Sequence, residues 1–350
     1  MGMSGGVDSS VAAALLVEAG YQVEGIMLHL WAESGARFNA CCSLEAQNDA
    51  AEVSRVLGVP FRVLDVEELF RRKVVEYFID SYVSGRTPNP CLVCNREIRF
   101  GFLLEYALRH GADYVATGHY ARIVRGEDGT YLLLKGVDSR KDQSYVLYTM
   151  DQFRLSHTLF PLGSYEKEEI RAKARELGLP VAEKPESQDL CFAADGDYRG
   201  FLLRHAAGRI EPGEIVDTRG RILGRHRGLA FYTIGQRHGI EVQSIEPLYV
   251  VEMDRERNRL VVGTRDELGR QSLEAEDVNW IFGSPPSGSI EVQVKIRYRA
   301  EPRPAELLPK PGNRVEIRFR EKLRGITPGQ AAVFYQGDVC LGGGIISRAW

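Results

Sequence analysis

The stretch Met3-Ser-Gly-Gly-Val-Asp-Ser-Ser10 holds residue types that can seat a phosphate. Two adjacent glycines, Gly5 and Gly6, let the main chain turn sharply and approach a ligand without Cβ clashes. Amides of the loop, and of a helix expected to begin near Ser10, turn partial positive charge toward an anion. Ser4, Ser9 and Ser10 add hydroxyl donors. Asp8 repels phosphate, so it either holds a Mg²⁺ that accompanies the phosphate or caps the helix. Lysine is absent, so this is not a Walker loop. A bare Gly-Gly would fit an ordinary turn with an Asp/Ser cap; the full Ser-Gly-Gly-x-Asp-Ser string is far more specific.

The six cysteines form the second constellation. Cys91-Leu-Val-Cys94 follows Thr87-Pro-Asn-Pro90, whose prolines stiffen the approach and favour extended backbone. Asn95 is expected to cap a helix starting near Arg96. A thiol at a helix N-terminus loses its proton more easily and becomes a better nucleophile. Cys191 lies far away, in Ser187-Gln-Asp-Leu-Cys-Phe192, and Cys41-Cys42 and Cys340 complete the set. Three readings compete. Cys91 and Cys94 are half of a zinc site, which needs two more ligands that no second CxxC or HxxxH supplies. Alternatively the cysteines are inert packing, as suits Cys340 and one of Cys41 and Cys42. In the third reading, Cys94 and Cys191 meet over a nucleotide and handle sulfur by persulfide formation and thiol–disulfide exchange. The phosphate loop in the same chain favours the third.

These residues need elements to position them. Val11–Ala19 reads as a helix closed by Gly20, Gln22–Leu30 as strand-like, Leu44–Leu57 as a helix stopped by Gly58. Phe61–Val66 is a strand, Glu67–Val83 and Glu97–His110 are helices, and Tyr114–Thr117 is a strand. This alternation predicts a parallel sheet covered by helices on both faces. Only Met1–Met3 precede the phosphate loop, where a full strand is expected. Arg122–Val124 and Tyr131–Leu134 flank a Gly126…Gly129 turn and predict a hairpin near that sheet. Glu166–Leu177 is helical, ended by Gly178 and Pro180. Beyond Phe201–Ala207 come short alternating segments separated by turns, the pattern of small β-barrels. The chain divides near 200 and again near 275.

Length and composition agree. A chain of 350 residues exceeds one domain of ~100–200 residues. With 44% apolar and 27% charged residues it is neither disordered nor collagen-like. No run reaches the ~18 apolar residues of a membrane span. Cysteines without an export signal imply a reducing cytoplasm. The net charge of −3 hides an asymmetry: residues 1–198 hold 21 Lys+Arg against 29 Asp+Glu, and residues 199–350 hold 24 against 19. Two segments carry the basic excess: Thr218–Ile240, and Lys295–Arg324 with ten basic residues against four acidic. They are either solvated Arg-rich hairpins or the footprint of an anionic polymer.

The loop Gly2–Ser10 resembles that of the PP-loop ATP pyrophosphatases, which cleave ATP between the α and β phosphates. The whole chain resembles the tRNA-specific 2-thiouridylases. The resemblance rests on this loop, Gly85-Arg-Thr-Pro-Asn-Pro90, Cys94-Asn, Ala116-Thr-Gly-His-Tyr120, Lys141-Asp-Gln-Ser-Tyr145, Ser187–Phe192, Thr233-Ile-Gly-Gln-Arg237, Arg297-Tyr-Arg299 and Thr327-Pro-Gly-Gln330. It implies an α/β fold: a parallel-sheet PP-loop domain of the adenine nucleotide alpha hydrolase type over 1–199. Two small β-rich domains follow, a central one that binds tRNA over 200–273 and a β-barrel over 274–350. ATP with Mg²⁺ would be held by Gly2, Met3, Ser4, Gly5, Gly6, Val7, Asp8 and Ser9, with Leu28 and Gly118 near the adenosine. The C2 oxygen of the wobble uridine would be adenylated, and Cys191 would deliver persulfide sulfur. Cys94 would release that sulfur as a Cys94–Cys191 disulfide forms. Asn89, Pro90 and Cys91 would contact the target base. His119, Lys141, Asp142, Gln143, Arg297, Tyr298 and Gln330 would contact the tRNA anticodon arm. Tyr298 or Tyr232 could stack on an unpaired base, with RNA lying across the seam between the halves. The sulfur would come from a cysteine desulfurase or a sulfur-relay protein.

One departure stands out. Many members carry Asp, assigned as a general base, where this chain has Cys91. With Cys91, Cys94 and Cys191 together, three thiolates could hold a [4Fe–4S] cluster and leave one iron open for sulfide. Two rivals remain: an amide ligase sharing the loop, which would not need Cys94 and Cys191, and a non-enzymatic RNA-binding or sulfur-relay protein.

Overall fold

The computed structural model describes residues 1–33, 43–185, 190–193 and 197–350; Cys41, Cys42 and Ser187–Asp189 lie outside the described residues. The first unit is built on a parallel sheet. Strand Gly25–His29 pairs in parallel with Phe61–Asp65, and Val115–Ala116 pairs in parallel with Thr158–Leu159. Met1–Met3 join the two pairs. Gly2 forms a parallel bridge with Ile26, Met3 N donates to Ile26 O at 2.8 Å, and Gly2 N donates to Ala116 O at 2.8 Å. Residues 1–3 thus lie between the two pairs, where the strand is expected. Alternation along Gly25–His29 sends Met27 to a core with Met3, Val11 and Val53, and Ile26 to a core with Leu103, Leu104 and Val115.

The first helix is Val7–Glu18, with Gly6 as N-cap, so it starts before the expected Ser10. The serines explain the early start. Ser9 Oγ and Ser10 Oγ both donate to Gly6 O, at 3.1 and 2.9 Å, which folds Asp8, Ser9 and Ser10 into the first turn. The helix buries Val7, Val11, Ala12, Ala13, Ala14 and Leu16, apolar nearly all round, as suits an element packed between sheet and neighbouring helices. In the next helix, Leu44–Leu57, the Ser43 hydroxyl accepts from Ala46 N at 3.0 Å and Gly58 closes the end in the left-handed region.

A second core lies across the sheet. Helical segments Glu67–Phe70, Arg71–Val75 and Glu76–Val83 run on without interruption and supply Phe70, Val74 and Phe78. Helix Tyr198–Ala206 adds Phe201 and Leu202, so the first unit's core recruits residues beyond 199.

The middle sheet orders its strands Ile222–His226, Gly213–Asp217, Arg259–Gly263 and Tyr249–Asp254. The last unit is a closed six-stranded barrel. Around it run Gly269–Trp280, Arg314–Arg324, Arg303–Lys310, Ile290–Lys295, Ala331–Gln336 and Val339–Ala349, which pairs back with Gly269–Trp280. Alternate residues such as Val292, Val294, Ala305, Leu307, Val315 and Ile317 fill its interior. The hairpin Ala121–Arg125/Tyr131–Lys135 joins this barrel rather than the parallel sheet. Leu133 and Leu134 pair with Cys340 and Val339, and fully buried Leu133 packs with Val333 and Tyr335. An isolated apolar hairpin needs such a cover.

Gly5 has φ +68°, and a Cβ there would land on the carbonyl oxygen of Ala46. Gly5→Ala is therefore expected to cost at least about 2 kcal/mol through strain and overpacking. A fall of several degrees in Tm by calorimetry checks it.

Candidate active site

A cleft of about 1430 Å³ opens beside the glycine loop. Gly2, Met3, Ser4, Gly6, Val7, Asp8 and Ser9 line it, with Leu28 from the neighbouring strand and Gly118 from the turn after Val115–Ala116. Ser9 staples the loop: its Oγ accepts from Ser4 N at 3.1 Å while donating to Gly6 O. Gly118 packs against the start of the first helix. A Cβ there would sit 2.9 Å from both Asp8 C and Ser9 N.

Asp8 does not cap the helix. Its Oδ1 accepts from Tyr120 Oη at 2.7 Å and from Lys167 Nζ at 2.6 Å. Lys167, 5% exposed, opens helix Lys167–Glu176 behind a capping box of Glu166 and Glu169. Its amide donates to Asp138 Oδ2 at 3.2 Å. Sequence reading passed over Lys167 and Tyr120. One signal was present: a lysine in a first helical turn opposes the helix dipole, among glutamates that suit it.

Cys91, Cys94 and Cys191 all line the same cleft. The helix carrying the first two starts at Pro90, not near Arg96. Asn89 is its cap, accepting from Cys91 N at 3.1 Å, with Pro90 preset for the first helical position. Asn95 is instead buried inside the helix and donates to Val146 O at 3.1 Å. This register exposes Cys91 and buries Cys94. Cys94 belongs to one core with Phe70, Ile98 and Phe192, and Cys191 packs against that core. Phe192 makes edge contacts with Phe70, Phe78 and Phe201 at centroid distances of 6.0, 5.1 and 5.4 Å. Cys340 sits elsewhere, fully buried, and burial pushes its thiol well up.

The residues expected to touch RNA divide into two groups. Asn89, Pro90, Cys91, His119, Lys141, Asp142, Gln143 and Tyr298 line the cleft; Arg297 and Gln330 do not, and neither does Gly5 of the expected ATP set. Arg297 Nε donates to Gly325 O at 3.0 Å, and Gln330 Nε2 donates to Thr87 O at 2.9 Å. Thr87 N in turn donates to Pro328 O at 3.0 Å, and its hydroxyl lies 3.3 Å from that of Thr233. All three units therefore meet at Thr87, two residues before the cap of the cysteine helix. Asp142 accepts from Gly136 N and Ser144 N, and Gln143 Oε1 accepts from Tyr120 N. These two side chains brace the cleft wall.

Among the described residues, nine lysines and arginines line the cleft against four acids, Asp8, Asp142, Glu301 and Asp338. Seven of the nine (Arg99, Arg122, Lys135, Arg140, Lys141, Lys167 and Lys184) come from the first half, whose overall charge is negative. Lys295 and Arg299 come from the barrel. Much of the Lys295–Arg324 excess is spent on local ion pairs, including Arg303–Glu321, Lys310–Glu316, Arg318–Glu316 and Arg320–Glu291. Facing, not tally, decides where positive potential concentrates.

A glycine-loop α/β unit, thiols at its mouth and a β-barrel closing the cleft define a class of nucleotide-using proteins with appended β domains. Family models agree. The tRNA methyl transferase HUP domain matches residues 1–195, the tRNA methyl transferase PRC-barrel domain 199–264, and the aminomethyltransferase beta-barrel domain 270–346. The chain is 52% identical over 348 residues to the tRNA-specific 2-thiouridylase MnmA of Moorella thermoacetica, covering 98% of each chain. It is 49% identical to the protein of the same name from Chloroflexus aurantiacus, covering 99% of this chain and 97% of that one. The chain belongs to the tRNA-specific 2-thiouridylase family. No helix among the described residues is long and apolar enough to cross a membrane.

Two outcomes follow from the geometry. Gly118→Ala should weaken ATP binding about tenfold or more, by pushing the 117–119 turn off the first helix; titration calorimetry measures it. His119 is buried between Phe100 and Phe160 with Nδ1 2.7 Å from Thr117 Oγ1, and burial lowers its pKa to about 3. A histidine kept neutral in this way stabilises the fold above its unfolded pKa of ~6.5 and loses that contribution as pH falls toward 3. His119→Phe should flatten the loss of stability between about pH 6.5 and 4, read from denaturation midpoints.

Proposed function

We propose that this protein is an ATP-dependent sulfurtransferase that converts the wobble uridine of tRNA to 2-thiouridine. The observation that carries the reading is the shared cleft: Cys94 and Cys191, 97 positions apart, line it together with the glycine loop. Near-full-length identity to curated 2-thiouridylases supports the same reading.

ATP enters with its phosphates against the amides of Gly2–Ser9 and its adenosine toward Leu28 and Gly118. Asp8, a hard oxygen ligand in this anion cradle, is the residue suited to hold the accompanying Mg²⁺. The uracil C2 oxygen attacks the α-phosphate, pyrophosphate leaves, and a poor leaving oxygen becomes an AMP ester. The terminal sulfur of a Cys191 persulfide attacks C2 and AMP departs. Cys94 thiolate then attacks the Cys191 sulfur, which frees 2-thiouridine and leaves a Cys94–Cys191 disulfide for an external thiol to reduce. Asn89, Pro90 and Cys91 face the base. Lys141 and Tyr298 meet the RNA directly, while His119, Asp142, Gln143, Arg297 and Gln330 shape the surface it meets. The basic lining provides salt-dependent affinity for the anticodon arm. The sulfur arrives from a desulfurase or relay protein.

A second reading of the sulfur step rests on Cys91, a third thiol in the cleft where a carboxylate is usual. Cys91, Cys94 and Cys191 would be the donor set of a [4Fe–4S] cluster, which would supply an open iron for sulfide.

Thiolation with ATP, Mg²⁺, a sulfur source and tRNA, read by mass spectrometry of nucleosides, tests the function. Cys94→Ala and Cys191→Ala are each expected to abolish 2-thiouridine. Under the persulfide route Cys91→Ala keeps activity and the anaerobically purified protein carries no iron; under the cluster route it loses both iron and product. AMP-forming turnover left intact by Cys94→Ala, in a protein that makes no 2-thiouridine, would sink the sulfur chemistry and favour an amide-type ligase.

A further inference from the structure

The glycine loop has no lysine of its own, yet a lysine ammonium stands against it. Lys167 Nζ is 2.6 Å from Asp8 Oδ1, its side chain is 6% exposed, and it lines the same cleft as Ser4, Gly6 and Ser9. Holding it there is unfavourable in two respects. The ammonium belongs to the first residue of a helix, where the dipole repels a cation, and it is largely withdrawn from water. Its position is nonetheless fixed from several directions. Helix Lys167–Glu176 packs on the first helix through Ile170 and Ala174, in one core with Val7 and Val11. The Lys167 amide is tied to Asp138, whose other oxygen accepts from Arg140 N at 2.9 Å. The Nζ also lies 5.8 Å from the centre of the Tyr120 ring, beside the hydroxyl that shares Asp8.

We propose that Lys167 is the phosphate-binding cation of this loop, stored on Asp8 until nucleotide arrives. This rests on the reading of the cleft as an ATP site. In the empty cradle, Lys167 and the Tyr120 hydroxyl offset the charge of Asp8, which would otherwise repel a polyphosphate. When magnesium-bound ATP enters, Asp8 would hold the metal and the Lys167 ammonium would turn to a phosphate oxygen. Each carboxylate–cation contact is exchanged for another, so no charge is left buried and unpaired. A lysine supplied by a separate helix thus replaces the one that a Walker loop carries within itself.

The test compares ATP with adenosine on the same sample, by titration calorimetry with Mg²⁺ and without tRNA or a sulfur source. Lys167→Gln keeps a donor for Asp8 and removes the charge; Lys167→Met removes both. Both variants are expected to bind ATP about 10- to 100-fold more weakly, the scale of a charge-assisted hydrogen bond, with adenosine affinity changed less than about twofold. Lys167→Arg should recover most of the loss. Unchanged ATP affinity, or ATP and adenosine weakened together, would overturn the proposal and leave Lys167 a structural ion pair. Wild-type protein that binds ATP but never thiolates tRNA would sink the proposed function alone. Wild-type protein that binds no ATP would sink both.

Discussion

The aromatic packing around Phe192 is the constraint on which the cleft depends. A sulfur-bearing loop 97 positions away from Cys94 has no local reason to lie beside it. Phe192 supplies one: its ring is 1% exposed and makes edge contacts with Phe70, Phe78 and Phe201 in the core that also buries Cys94. Edge-to-face contacts have preferred geometries, so they fix orientation as well as proximity. Burying one phenylalanine contributes about 1.5–3 kcal/mol, which favours the observed placement of residues 190–193. The neighbouring Cys191 is carried to the cleft as a consequence of where Phe192 sits.

The nucleotide end is built on the opposite economy, with very short connections. Met1–Met3 bridge two strand pairs, Gly6 caps the first helix, and Ser9 closes the turn between them. No side chain larger than hydrogen fits at Gly5 or Gly118 without displacing backbone. Rigidity there comes from main-chain hydrogen bonds and steric exclusion. At the cysteine end it comes from buried rings.

Local chemistry was legible in the sequence wherever it was local. The glycine loop, the alternating strands and helices, and the β-rich second half follow from spacing and turn residues. Legibility failed where a choice depended on distant partners. The cap of the cysteine helix was placed at Asn95 although Asn89-Pro90 carries the stronger signal, because a Pro-rich approach read as loop. The hairpin 121–135 reads as a neighbour of the parallel sheet that precedes it, whereas its cover is Cys340 and Val339 of the barrel, about 200 positions on. Lys167 was invisible because its meaning lies in Asp8, 159 positions away. Charge counting pointed to the second half, whereas the cleft collects cations mainly from the first.

The joint at Thr87 has a mechanical consequence. Its amide and its carbonyl both bond to the barrel segment Pro328–Gln330, and its hydroxyl meets Thr233 of the middle sheet. The barrel cannot swing outward without breaking two hydrogen bonds immediately upstream of the cysteine helix. The three units are thus pinned together at one residue, and any movement of the barrel against the cysteine helix is felt first at that joint.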